Sequence, residues 1–211
     1  MKKRITSSLL SCRNKSRFFL DHLVDRYIGI DTAAWFIYPK EKSLWGDSQS
    51  NVSISYWLLY KYIDCLKLSS EDIFYDIGCG YGRVLCLVAR KRISKCVGIE
   101  ISAEFAAKAL ENAKTMRHRV SPIEIRIGDA VEMDYMDGTV FHLSNPFGAK
   151  TLRTVLARIE QTLTVNPRRL RFIYVNPVHK EIFASTKWLK YSGENRVFFS
   201  PLVASYWTYG A

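Results

Sequence analysis

Three carboxylates follow three apolar runs of this chain, at a spacing that could bind a polar ligand. Asp76 lies in FYDIGCGYGR, Glu100 in VGIEIS and Asp129 in IGDA. Carboxylates accept hydrogen bonds from hydroxyls and amines. Glu100 follows Asp76 by 24 positions, close to the roughly 20-residue offset at which an acidic side chain binds ribose hydroxyls. We therefore predict that Glu100 binds ribose hydroxyls, Asp129 an exocyclic amine and Asp76 a cationic group. Taken alone, Glu100 or Asp129 would more often be a helix cap or a surface charge, but three acidic residues at three successive strand ends are a much rarer coincidence.

Three glycines occupy alternate positions directly behind Asp76. Gly78, Gly80 and Gly82 stand in DIGCGYG, and ordered glycine costs backbone entropy, so the chain must bend sharply there or be approached closely. A strand, a glycine turn and a helix would direct backbone N–H groups towards one point. The spacing is GxGxG, with Arg83 where the dinucleotide fingerprint GxGxxG has its third glycine. The alternative is a turn that only tightens packing.

Strands and helices are predicted to alternate from residue 53 onwards. The apolar patterns predict helices over 53–68, 83–91, 102–119 and 150–163, and strands over 72–78, 95–101, 123–128, 139–144 and 169–175. An aromatic-rich hairpin is predicted near the C-terminus. We therefore predict an α/β fold with a doubly wound, mostly parallel, Rossmann-like sheet and a C-terminal antiparallel hairpin. In such sheets ligands lie beyond the carboxyl ends of the strands, where the unusual residues fall.

The ordered series DIGCGYG, GIE, GDA and SNPFG resembles a class I S-adenosylmethionine-dependent methyltransferase over about residues 53–176. The resemblance implies a methyl-transferring enzyme whose cofactor is S-adenosylmethionine. It also implies a set of cofactor-binding positions at the strand ends. Asp76, Gly78 and Gly80 would line the methionine end, Glu100 would bind the ribose, Ile101 would pack on the adenine, Asp129 and Ala130 would meet the adenine edge, and Asn145 would complete the pocket.

The sequence SNPFG after the fourth strand resembles the acceptor motif of amine-directed members of the superfamily, in which Asn/Asp-Pro-Pro-aromatic holds and stacks the amine. Asn145 and Pro146 match, whereas Phe147 stands one position early, with Gly148 at the aromatic's place. Asn145, Pro146 and Phe147 are therefore the predicted catalytic residues. The alternative is a strand exit capped by asparagine.

A second copy of this pair, YVNP at 174–177, follows the next strand. Asn176 is predicted to line the acceptor side. His179 is either a proton acceptor or a residue at a helix start. The chain also resembles a less characterised group of small bacterial methyltransferases that share the NPF and NP pair.

The 211 residues carry a net charge of +11 that is unevenly distributed. Residues 1–20 hold six Lys or Arg and no acid, and residues 150–190 hold nine basic and two acidic residues. These blocks predict an anionic partner such as RNA, an acidic protein or a membrane surface. The alternative is a basic tail and a solvated helix face.

Composition narrows the class of protein and its location. A hydrophobic fraction of 48 % indicates a globular chain, and no run approaches the roughly 20 apolar residues of a membrane span. The five cysteines form no CxxC pair, which favours a reducing, cytoplasmic location and no zinc site. The first twenty residues resemble a mitochondrial transit peptide weakly, and a basic arm explains them equally well.

The predicted organisation is a basic arm and partly irregular lid over residues 1–52, followed by a cofactor-binding domain over 53–211. No metal or covalent nucleophile is expected for methyl transfer, and Cys79 is interpreted as a small residue in a tight turn. Two other functions remain open. One is a module that binds the cofactor without transferring a methyl group, and the other is a nucleotide-binding oxidoreductase, which the GxGxG spacing disfavours.

Overall fold

The computed structural model describes residues 19–33, 35–36, 47–48, 51–198 and 200–210. Two residue pairs, Trp35–Phe36 (β1) and Asn51–Val52 (β2), form a short antiparallel ribbon. The strands of the main sheet are Ile73–Ile77 (β3), Lys95–Glu100 (β4), Ile123–Ile127 (β5), Val140–Leu143 (β6), Leu170–Val175 (β7), Lys190–Arg196 (β8) and Val203–Tyr209 (β9). The helices are 19–28 (α1), Tyr56–Asp64 (α2), Arg83–Val88 (α3), Ala103–Thr115 (α4), Ala149–Val165 (α5) and Lys180–Ser185 (α6).

The main sheet has seven strands in the order β5-β4-β3-β6-β7-β9-β8. The first five strands of this order are parallel, and β9 runs antiparallel between β7 and β8. The predicted doubly wound sheet with a C-terminal antiparallel hairpin is therefore confirmed. Because the chain winds outward from β3 in one direction and from β6 in the other, the two strands meet at the switch point where ligands bind in such sheets.

The central strands are apolar because helices cover both faces of the sheet. Every residue of β6 is buried, as are four of the five residues of β3. The outer strand β8 carries charged side chains and is mostly exposed, which protects this edge of the sheet from pairing with another chain.

Two cores lie on opposite faces of the sheet. One holds side chains of α2, α3 and α4, among them Leu59, Tyr62 and Ala109. The other lies under α5 and is rich in aromatic rings, with Phe141 and Phe172 stacked at a centroid distance of 5.0 Å. Residues of the central strands alternate between these two cores, so the positions that end each strand are fixed by packing from both sides.

Helix α4 begins where its cap was predicted and ends earlier than the pattern indicated. The Ser102 hydroxyl accepts a hydrogen bond of 3.3 Å from the N–H of Phe105. The predicted end at residue 119 is wrong, because Met116 leaves the helical region and His118 has a φ of +59°. Helix α2 (56–64) is likewise shorter than the predicted 53–68. Among the described residues, none of the helices has the length and apolar character that a membrane crossing requires.

Candidate active site

The three glycines behind β3 all have backbone conformations that disfavour other residues. Gly78, Gly80 and Gly82 have φ values of +79°, +54° and +79°, in the left-handed region that only glycine adopts readily. Space is limiting as well, since a Cβ built on Gly78 would lie 2.6 Å from the Cβ of Pro146. The glycines therefore allow a sharp turn and a close approach between the ends of β3 and β6.

Backbone groups of this turn are fixed to the end of β4. The N–H groups of Gly78 and Cys79 both donate to the carbonyl of Ile99, at 2.9 and 3.0 Å. The N–H of Gly80 donates to Oε2 of Glu100 at 2.8 Å, and the other oxygen of that carboxylate accepts from the N–H of Ser102 at 3.0 Å. Glu100 therefore shapes the glycine turn besides standing at the position predicted to bind ribose.

Glu100 and Asp76 place two buried carboxylates near the glycine turn, close enough to interact electrostatically. They are 6 % and 2 % exposed, and no Lys or Arg side chain in the described part of the chain forms an ion pair with either. Burial raises the pKa of the Glu100 carboxyl, the neighbouring Asp76 charge adds to the rise, and three backbone N–H groups oppose it. Two buried carboxylates without a Lys or Arg partner among the described residues favour a cationic ligand.

His142 is a functional candidate that the sequence analysis missed. It faces Asp76 across the pair of strands β3 and β6, with Nδ1 2.6 Å from Oδ1 of the carboxylate. The sequence signal is a single polar residue inside the apolar strand VFHL. It becomes informative only when the register of the two strands is known.

The end of β5 approaches the same region. The N–H of Gly128 donates to the carbonyl of Glu100 at 2.9 Å. The Asp129 carboxylate accepts from the N–H of Val131 at 3.0 Å and so caps the short 3₁₀ helix Ala130–Glu132. Ala130 is buried and Ile101 is half-buried, and the predicted contacts of these residues with an adenine stay predictions.

Two Asn-Pro turns form the other side of the site. Asn145 and Asn176 both have left-handed backbones, with φ values of +47° and +50°, which asparagine tolerates better than most residues. The hydroxyl of Tyr174 donates to Oδ1 of Asn145 at 3.1 Å and accepts from the N–H of His179 at 3.3 Å. Because the hydroxyl hydrogen goes to Asn145, the side-chain amide of that residue has a fixed orientation at the end of β6.

His179 directly precedes α6, and its Nδ1 lies 3.5 Å from a carboxylate oxygen of Glu181. This is the helix-start position, one of the two alternatives that the sequence left open. Asn176 is exposed, and its N–H donates to the carbonyl of Val203.

Phe147 is buried at the position where an acceptor contact was predicted. The residue is 5 % exposed and packs in the core under α5, while its backbone pairs with Ser48 in an isolated bridge. This position does not favour stacking on an acceptor, and the role assigned to Phe147 stays a prediction. Pro146 instead contacts the glycine turn.

The N-terminal part of the chain reaches both sides of the site. On the side of the glycine turn, the Asn112 side chain donates to the carbonyls of Asp31 and Tyr81, both at 2.9 Å. On the Asn145 side, the carbonyl of Asp47 accepts from the N–H of Gly148 at 3.0 Å.

Arg83 connects α1 to the helix that follows the glycine turn. Its buried guanidinium contacts Asp21 at 3.0 Å and Asp25 at 3.6 Å, donates to the Thr32 hydroxyl at 2.8 Å and lies over the Tyr56 ring. In the sequence, the only unusual feature of Arg83 is that it stands where the dinucleotide fingerprint has its third glycine. The residue that departs from the dinucleotide fingerprint is thus the one that fixes the N-terminal helix.

Cys79, within the turn, has no activated thiolate. Burial raises the pKa of its thiol well above the usual value, and the two carboxylates Asp76 and Glu100 add to the rise. This agrees with its interpretation as a small residue in a tight turn.

Solved structures share the architecture. An RNA methyltransferase from Salinibacter ruber, solved in complex with S-adenosyl-L-homocysteine, superposes with a TM-score of 0.55 at 20 % identity, over 75 % of this chain and 94 % of that one. At this level of identity the likeness concerns the fold.

The sequence of the central region matches a known family. Residues 74–165 match the family described as "Methyltransferase domain". This part of the chain has the sequence of a methyltransferase domain. It includes the glycine turn, Glu100 and the NPF turn, and so the core of the candidate site.

Curated relatives of the methyltransferase domain match over part of their length. A protein-lysine N-methyltransferase of Saccharolobus islandicus (strain REY15A) is 34 % identical over 83 residues, which are 38 % of this chain and 50 % of that protein. Ajmaline N-methyltransferase of Rauvolfia serpentina is 30 % identical over 117 residues, 54 % of this chain and 39 % of that protein. The chain therefore spans half or less of the length of these relatives.

Proposed function

We propose that the chain is an S-adenosylmethionine-dependent methyltransferase. The observation that carries the proposal is the pair of buried carboxylates, Asp76 and Glu100. Neither has a Lys or Arg partner among the described residues, and Glu100 accepts a hydrogen bond from the Gly80 N–H of the glycine turn. A cationic nucleoside that carries ribose hydroxyls supplies the groups that this pair lacks. The family match over residues 74–165 supports the same cofactor.

The residues present fit that cofactor. Glycine at positions 78 and 80 leaves room for a ligand next to the backbone of the turn, and a carboxylate at the end of β4 can accept from two hydroxyls. When bound, the cofactor would supply a methyl group on a sulfonium, which passes to the acceptor's lone pair as the carbon–sulfur bond breaks and its electron pair stays on sulfur. The residues that would hold it are Asp76, Gly78, Gly80, Glu100, Ile101, Asp129, Ala130 and Asn145.

Asn145 and Pro146 are proposed to hold the acceptor. The Asn145 side chain is oriented by Tyr174, and Pro146 lies against Gly78, so the two turns form a single unit. Positioning a nucleophile in line with an already activated methyl group and excluding water are the main tasks of such a site.

The charge around α5 favours an acceptor that is anionic near its nucleophile. Lys150 and Arg153 lie in the first turns of this helix, directly after the NPFG sequence, and neither forms an ion pair in the described part of the chain. Cations at a helix N-terminus oppose the helix dipole, so their placement costs stability and strengthens the positive field at the end of β6. Both curated relatives are named N-methyltransferases, which supports a nitrogen nucleophile.

We also propose that residues 1–52 form a basic arm and a partly irregular lid, that a domain boundary lies at residue 52, and that the protein is cytoplasmic. The contacts of Asp31 with Asn112 and of Asp47 with Gly148 support a cover that is attached on both sides of the glycine turn. An RNA or another anionic partner is consistent with the basic residues of α5.

The test is transfer of a labelled methyl group from S-adenosylmethionine into RNA, protein and small-molecule fractions. The proposal predicts label in one fraction, and predicts that Asn145→Ala lowers turnover while cofactor affinity is kept. Exposed Asn166 provides the control variant Asn166→Ala, which lies at the opposite end of α5. Tight binding with no transfer into any fraction would support the module without activity, and preference for a nicotinamide cofactor would support an oxidoreductase.

A further inference from the structure

His142 and Asp76 form a buried pair at the switch point of the sheet. They are register partners on β6 and β3, Nδ1 lies 2.6 Å from the carboxylate oxygen, and the side chains are 1 % and 3 % exposed. The imidazole stacks on Phe74 at a centroid distance of 6.2 Å. The pair therefore lies inside the sheet, directly before the glycine turn in β3.

The hydrogen-bond pattern fixes the tautomer of the imidazole. An ionised carboxylate can only accept, so the hydrogen of this bond must be on Nδ1. The other ring nitrogen, Nε2, is buried and has no partner among the residues that the structure describes. A bare Nε2 in this position costs less than an unpaired N–H donor, so the hydrogen-bond pattern favours the tautomer with its hydrogen on Nδ1.

Two features point to a role beyond packing. The three other residues of β6 are apolar, and an apolar side chain at 142 would leave the Asp76 carboxylate buried without this donor. A neutral imidazole donates a hydrogen bond to a carboxylate without cancelling its charge. Lys or Arg in place of His142 would neutralise it.

We propose that His142 is a positioning residue, which holds the Asp76 carboxylate in one orientation for the ammonium group at the methionine end of the cofactor. This proposal rests on the proposed function. A charged hydrogen bond of this kind changes affinity by about tenfold or more, and the change must be confined to ligands that carry the ammonium group.

The test compares two ligands by calorimetry. S-Adenosylhomocysteine carries the amino-acid group, whereas 5′-methylthioadenosine has the same adenosine and a thioether without it. For His142→Phe we expect S-adenosylhomocysteine to bind about tenfold or more weakly, and methylthioadenosine to change by less than about twofold. His142→Asn, whose amide can donate to Asp76, should recover part of the affinity. Asp76→Asn should show the same selective loss, and adding His142→Phe to it should cause little further loss, because the two residues act as a unit.

The outcomes separate the two claims. Failure of wild type to bind either ligand would refute the proposed function. The positioning role alone would be overturned if wild type binds both ligands and His142→Phe either weakens both to the same extent or weakens neither. If the variants do not fold, ¹⁵N spectra of the wild-type imidazole serve instead. The proposal is supported if the hydrogen is on Nδ1 and if S-adenosylhomocysteine, but not methylthioadenosine, changes the ¹⁵N chemical shifts of the ring. A hydrogen on Nε2 overturns it.

Discussion

Replacing Gly78 by alanine tests the close approach between the glycine turn and the Asn145–Pro146 turn. The new Cβ would lie 2.6 Å from the Cβ of Pro146, on a residue whose φ is +79°. A left-handed alanine costs roughly 1–2 kcal/mol, and forcing an extra carbon into a packed contact costs about 1–3 kcal/mol more. We therefore expect Gly78→Ala to lower the free energy of unfolding by about 2–5 kcal/mol.

The chain offers a matched control at Gly210. Its φ is +70°, and a Cβ added there would lie 3.6 Å from its nearest neighbour, an ordinary van der Waals distance. Gly210→Ala should therefore show only the backbone cost of roughly 1–2 kcal/mol and should leave cofactor affinity unchanged. Gly78→Ala should weaken cofactor binding as well, because relief of the contact moves the two turns apart.

Urea denaturation of both variants, followed by calorimetric titration with S-adenosylhomocysteine, measures the two effects. The reasoning fails if Gly78→Ala is no less stable than Gly210→Ala and binds the ligand like wild type. In that case the turn would adjust without strain and the close approach would have no part in the site.

Three further variants test other parts of the structure. Glu100→Gln retains one carbonyl oxygen for the Gly80 N–H, so circular dichroism should show a folded chain. Calorimetry should show cofactor affinity lowered by about tenfold or more. Unchanged affinity would mean that Glu100 does not bind the ribose. Burial raises the pKa of the Asp72 carboxyl, but its hydrogen bonds, above all that from Arg171, outweigh burial and lower it overall. The resulting stability is present above the unfolded pKa near 4 and is lost as pH falls through the lower folded value. In Asp72→Asn the free energy of unfolding should therefore fall less steeply as the pH is lowered below about 4. The same steepness as in wild type would contradict this. Arg83→Met leaves two buried carboxylates of α1 without their partner and should cost about 3–5 kcal/mol in urea denaturation; a change below about 1 kcal/mol would show that those carboxylates are solvated.

The parts of the fold that are encoded locally could be predicted from the sequence. Apolar runs of five or six residues gave the central strands, and the GxGxG spacing gave the turn behind β3, because both patterns reflect constraints within a few residues. The end of α4 could not be placed, since the departure at Met116 and the left-handed His118 are set by packing against α1, where the Arg117 N–H donates to the carbonyl of Ile28.

The part of the site that lies at the strand ends could be predicted, because the carboxyl ends of parallel strands meet at one edge of the sheet. Glu100 and Asp76 do come together, as expected of neighbouring strands. The bonds from His142 to Asp76 and from Arg83 to Asp21 join residues 66 and 62 positions apart, and no local pattern indicates such pairs. The burial of Phe147 likewise depends on the left-handed backbone of Asn145, which directs the following residues towards the core under α5.

The most direct test of the central claim is a crystal structure of the chain soaked with S-adenosylhomocysteine. The account predicts electron density for the ligand at the carboxyl ends of β3 and β4, with its ribose hydroxyls within hydrogen-bond distance of Glu100 and its ammonium group next to Asp76. Density at another place, or ribose hydroxyls bonded to other side chains while Glu100 holds only the Gly80 and Ser102 N–H groups, would contradict it.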